Sequence, residues 1–176
     1  MPLSLSRAAW ARVIPFAAFM VLLAVRGAMP ADGAFDRRWI YGITVLFVGG
    51  LLIGFARGYG ELSRQNAPTL REALLGAVVG LAVFALWITL DAPWMRLGAP
   101  NAEFRPLDAH GHIDAALVAV RWIGAALLVP VMEELFWRSF LMRWIESPQF
   151  EAVDPRRVGF KAIVLSTFVF MLAHTL

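Results

Sequence analysis

Five apolar runs, each close to the roughly 20 residues that carry a helix across a bilayer, divide the sequence. They cover about Trp10–Val25, Trp39–Phe55, Ala73–Leu90, Ile113–Ile145 (through Pro130) and Val158 to the end at Leu176. The chain is 60% hydrophobic and only 16% charged, against roughly a quarter charged residues in a soluble domain. In water such a chain would lack the polar surface to cover itself. In a bilayer each backbone N–H and C=O must be satisfied within the segment, which leaves helices for runs of this kind. The expected fold is all-α: a multi-pass transmembrane helical bundle of about five helices. Its 176 residues form a single integral-membrane domain, 1–176.

The charges follow the membrane rather than a polyanion. Lys and Arg exceed Asp and Glu by three, but they lie between the apolar runs, so no nucleic-acid partner is expected. Counted by alternate ends of the runs, one side holds Arg7, Arg12, Arg57, Arg64, Arg71, Arg143, Arg156, Arg157 and Lys161. The other holds Arg26, Arg37, Arg38, Arg96 and Arg105, with Arg121 and Arg138 inside the fourth run. The richer side is expected to be cytoplasmic, which puts the N-terminus inside and the Asp91–Asp114 loop outside. Arg7 and Arg12 followed by Ala31-Asp32-Gly33-Ala34 faintly outline a signal peptide. Arg26, between the run and that site, favours a retained helix. Fifteen of the sixteen basic residues are Arg, which hints at a GC-rich coding sequence; the expected location is a bacterial inner membrane. The absence of cysteine removes disulfides, thiolate ligands and a thiol nucleophile, so any chemistry falls to oxygen and imidazole groups.

Glu133 and Glu134 stand out against this background. They follow the apolar stretch Ile123–Met132 and precede Leu135-Phe136-Trp137. A carboxylate at such a place costs at least a few kcal/mol and marks a functional site by default. The competing reading, a helix that ends at Pro130 and a carboxylate pair that starts a cytoplasmic segment, is weakened because the apolar character resumes through Leu141-Met142. Arg138 lies four residues after Glu134, on the same helix face, and is expected to pair with it. Glu133, about 100° round the helix, stands off that pair, partly desolvated, as suits a general base. A second constellation is Phe170-Met171-Leu172-Ala173-His174. Glu133 lies thirteen residues before Glu146, and His174 thirteen after Lys161. If Glu146 and Lys161 mark one membrane boundary, both side chains sit roughly 20 Å down antiparallel neighbours. His110 and His112, with Asp108 and Asp114, could bind a metal, but they fall on a Gly/Pro-rich loop away from Glu133 and are read as solvated. The seven Trp are read as interfacial anchors. Gly49-Gly50 and Gly76-x-x-x-Gly80 are expected to let helices approach closely.

Glu133-Glu134-Leu135-Phe136-Trp137-Arg138 and Phe170-Met171-Leu172-Ala173-His174 resemble the first two motifs of the CAAX-protease and bacteriocin-processing (CPBP, or Abi) family of intramembrane endopeptidases. The match covers about Pro130–His174; ahead of it only hydropathy agrees. The Arg- and Trp-rich layout is also similar to the CAAX-related proteases associated with exosortase/PEP-CTERM systems. The resemblance implies that Glu133 and His174 activate a water that hydrolyses a peptide bond of a membrane-associated protein or peptide substrate, with Glu134 and Arg138 supporting the site. A divalent metal such as zinc, held by Glu133 and His174, is compatible with it; no cofactor is required by it. The family's third motif, a His followed four residues later by Asn or Asp on a later helix, has no counterpart here. The expectation is therefore a chain whose remaining helices lie beyond Leu176. Two other classes stay open on the residues alone. One is a non-catalytic membrane scaffold, such as an immunity or secretion-partner protein. The other is a transporter using Glu133, Glu134 and His174 as a proton relay, although no internal repeat supports it.

Overall fold

The structure, a computed structural model, describes residues 5–29, 36–90, 105–108 and 110–175, with side chains to 173. Among the described residues the chain forms five long helices: α1 (Arg7–Ala28), α2 (Arg38–Phe55), α3 (Leu70–Thr89), α4 (Ala115–Glu146) and α5 (Phe160–Thr175). The first four are long and apolar enough to cross a membrane, and α5 is a shorter apolar helix. The isolated bridge between Leu107 and Ile113 is the one β pairing among these residues. The chain is therefore an all-α integral membrane protein. The Ala31–Ala34 segment and most of the Asp91–Asp114 loop lie outside the described residues.

Local chemistry sets the helix starts. The Ser6 hydroxyl accepts from the Ala9 N–H and opens α1. Thr69 and Glu72 form a reciprocal capping box at α3. Asp114 accepts from the N–H groups of Ala116 and Leu117 at α4. Asp36, just before α2, accepts from the Arg38 N–H and pairs with its guanidinium.

Helix α1 packs along α2, α2 along the first half of α4, and α1 returns against the second half of α4. Missing side chains allow the α2–α4 approach. A Cβ on Gly49 would lie 3.3 Å from Leu128 Cδ1, and one on Gly42 would lie 3.4 Å from Val120 Cγ1. A Cβ on Gly124 would run into the Tyr41 ring and hydroxyl. Gly50, Gly76 and Gly80 face open space instead, so the Gly76-x-x-x-Gly80 spacing makes no helix contact here. Helix α3 buries no residue against the rest; its Leu, Val and Phe side chains are the surface that hydrocarbon would cover.

Helix α4 is not α-helical throughout. It widens to π geometry over Gly124–Leu128 and again over Glu134–Leu141. Pro130 follows the first widening, and it lacks the N–H that would bond the preceding turn. Glu146 accepts from the Gly159 N–H at 2.7 Å and so links the end of α4 to the start of α5.

Candidate active site

The sequence-predicted carboxylates occupy the middle of α4. Glu133 closes the α-helical stretch Val129–Glu133, and Glu134 opens the second π stretch. π-Geometry inside an α-helix recurs at functional sites. Arg138 forms the ion pair with Glu134 that the four-residue spacing implies. The pair is not enclosed by the chain: the Glu134 and Arg138 side chains are 55% and 70% exposed. Glu133 is half-buried.

A set of aromatic rings fixes this part of α4. Phe136 stacks on Phe16 of α1 with ring centroids 3.9 Å apart. Trp137 meets Phe16 edge-on at 5.2 Å and Phe170 of α5 edge-on at 5.4 Å. The Trp137 Nε1–H is buried with no acceptor among the described residues.

The Trp137–Phe170 contact also sets depth. Helices α4 and α5 run antiparallel, joined at Glu146 and Gly159. Glu133 lies four residues before Trp137 and His174 four residues after Phe170. Both steps lead in the same direction, away from the Glu146 end, by about 6 Å at 1.5 Å per residue. The backbone of His174 belongs to α5; its side chain lies outside the described residues.

The His110/His112 loop behaves as a turn. Asp108 accepts from the N–H groups of His110 and His112 at 2.8 and 2.9 Å, and Gly111 takes a φ of +82°. Both histidines are exposed. Among the described residues no group of three or more His, Asp or Glu side chains is placed to hold a metal ion.

Sequence reasoning missed a polar clamp below the motif. Arg12, treated above as a flanking charge, is buried within the bundle. Its Nη2 donates to both oxygens of Glu61 at 2.8 Å, and its Nε donates to Ser139 Oγ at 3.0 Å. The Ser139 hydroxyl in turn donates to Glu61. Arg143 approaches Glu61 at 3.7 Å and donates to the carbonyls of Val153 and Glu151. Burial opposes ionisation of Glu61, but the Ser139 hydroxyl and the Arg12 guanidinium hold its carboxyl below the ordinary carboxylate range. Tyr59, which donates to the Ala11 carbonyl at 2.7 Å, is pushed up to about 12 by burial. The clamp joins α1, the turns after α2 and the segment after α4 to the residue next to Arg138. Its one sequence signal was an arginine inside an apolar run.

The family model for type II CAAX prenyl endopeptidase Rce1-like proteins matches residues 115–176. That segment comprises α4, its connection and α5; residues 1–114 lie outside the match. No curated protein and no solved structure matches the chain. Over residues 115–176, which carry Glu133, Glu134, Arg138 and His174, the chain is similar to the Rce1-like type II CAAX prenyl endopeptidases.

Proposed function

We propose that this protein is an intramembrane endopeptidase in which Glu133 is the general base and His174 its partner on the neighbouring helix. The observation that carries the reading is the Trp137–Phe170 contact at 5.4 Å, from which Glu133 and His174 lie one turn further along antiparallel helices. Water bound between them gives a proton to the Glu133 carboxylate. The hydroxide adds to the carbonyl carbon of a peptide bond in a membrane-associated protein. As the C–N bond breaks, the leaving amine takes a proton from the Glu133 carboxylic acid or from the His174 imidazolium. Glu133 sits in the apolar part of α4, half-buried and within the span, as suits a positioned general base.

The Glu134–Arg138 pair has a different role. Its charges cancel at close range, so Glu134 contributes orientation and polarity without competing for the proton. The named donors, Glu133 and His174, number two, below the three protein ligands a catalytic zinc takes. No step is therefore routed through a metal. The family match over 115–176 supports proteolysis as the reaction class, and the polypeptide substrate with its cleavage site is part of this proposal.

The test is cleavage of membrane-anchored reporter polypeptides by the protein reconstituted in lipid. The wild type is expected to cleave, and Glu133→Gln to lose at least about a hundredfold in rate with its melting temperature in detergent unchanged. Retained cleavage by Glu133→Gln would remove the general-base assignment. Arg138→Ala separates the two carboxylates: it removes the ion-pair partner of Glu134 and leaves Glu133 in place, so cleavage should fall together with the melting temperature, unlike Glu133→Gln.

A further inference from the structure

Helix α5 is tied to the far end of α4. The Gly159 N–H bonds Glu146, and α5 packs on Met142–Glu146. Glu133 lies on the other side of the π stretch Glu134–Leu141 from that tie. A π turn closes its hydrogen bonds over one residue more than an α turn, so the geometry of this stretch sets the angle at which Glu133 faces α5. π geometry is rare in isolation and has to be held by neighbours.

Helix α1 holds the stretch at two points. Arg12 and Phe16, four residues apart, share one face of α1. Phe16 stacks on Phe136 and meets Trp137 edge-on, and Arg12 Nε donates to Ser139 Oγ at 3.0 Å. The two contacts bracket Arg138. Ring packing tolerates small rotations, whereas a hydrogen bond weakens steeply away from its preferred angle. The Arg12 end is itself fixed. Nη1 donates to the Ala8 carbonyl at 2.8 Å, and Nη2 donates to the Gly58 carbonyl at 3.3 Å and to Glu61 at 2.8 Å. Phe150 and Tyr59 lie against the guanidinium, with ring centroids at 5.3 and 5.5 Å. Buried Ser139 also donates to Glu61. A planar guanidinium bonded through all three nitrogens has little freedom to follow a moving partner. We propose that Arg12, Glu61 and Ser139 are positioning residues: their network holds the π stretch of α4 and thereby sets Glu133 against α5. The proposal rests on the reading of Glu133 as general base.

The test uses the whole chain in lipid and compares Ser139→Ala, Ser139→Thr, Glu133→Gln and Val48→Ala. Val48→Ala leaves a cavity on the buried face of α2 and controls for lost stability alone. Amide hydrogen exchange and reporter cleavage are both measured. Ser139→Ala is expected to speed exchange selectively over residues 134–141 and to lower kcat about tenfold or more with KM little changed, because small misplacements of a reacting group are costly. Ser139→Thr, which keeps the hydroxyl, should restore both. Val48→Ala should lower the melting temperature without either change. Unchanged exchange over 134–141 in Ser139→Ala would overturn the positioning role. So would a kcat no lower than that of Val48→Ala while Glu133→Gln is inactive, an outcome that leaves the general base standing. Wild-type cleavage by Glu133→Gln would overturn the base assignment and the positioning role with it.

Discussion

Single residues in this protein divide into those the bilayer makes conspicuous and those it hides. Glu133, Glu134 and Arg138 are legible in sequence because ionised groups inside an apolar run carry a cost that only a role offsets. Arg12 obeys the same logic but lies close enough to a helix end to pass for a topological charge. Its partners cannot be read locally: Ser139 is 127 residues away and Glu61 is 49 away, on a turn with no periodic pattern. The clamp makes a pH-dependent prediction. The Glu61 carboxyl is held below its ordinary value of 4.5 in the folded protein. Its contribution is thus present above that pH and is lost as pH falls through the lower, folded value. Glu61→Gln leaves Arg12 buried with one acceptor fewer, and at neutral pH should cost about 2–3 kcal/mol, less than a fully buried pair because Glu61 retains some surface. Melting temperatures of the two proteins across pH check this. The gap between them should be widest above pH 4.5 and close below it; a constant gap would assign the loss to packing.

At the scale of elements, the helices fall where hydropathy places them, since length and composition suffice to define a span. Which faces meet is a different matter. Gly49 was rightly read as a point of close approach, whereas Gly76 and Gly80 were not, because the same small side chain serves packing on one helix and nothing on another. The decisive glycine, Gly124, carries no spacing motif. A Cβ there collides with Tyr41, itself held between Arg26 and Arg121. Gly124→Ala should therefore lower stability by about 1–3 kcal/mol through overpacking, while Gly76→Ala, facing open space on an exposed helix, should leave it unchanged or slightly raised. Detergent melting of the pair decides. The π stretches of α4 had no signal beyond Pro130, because helix widening depends on neighbouring helices rather than on local propensity.

The whole molecule is a bundle in which α1, α2, α4 and α5 share contacts while α3 stands apart. The excess of Lys and Arg at the clamp end, where Arg12 and Arg143 are now found in polar contacts, argues for that end facing the cytoplasm. Reporter fusions after Arg64 and after Glu103 are expected to show the first inside and the second outside; an external reporter at Arg64 would reverse the orientation. The proposed chemistry rests on one relation that spans the bundle: Glu133 and His174 at a common level on antiparallel helices. The sequence contains no cysteine, so paired cysteines can be introduced without background. In membranes, Trp137→Cys with Phe170→Cys serves as the contact control, the native rings being 5.4 Å apart. The deciding measurement is cross-linking of Glu133→Cys with His174→Cys by a short thiol-reactive linker. Efficient cross-linking of both pairs is the predicted result, and cross-linking of the control pair without the Glu133/His174 pair would contradict the shared site.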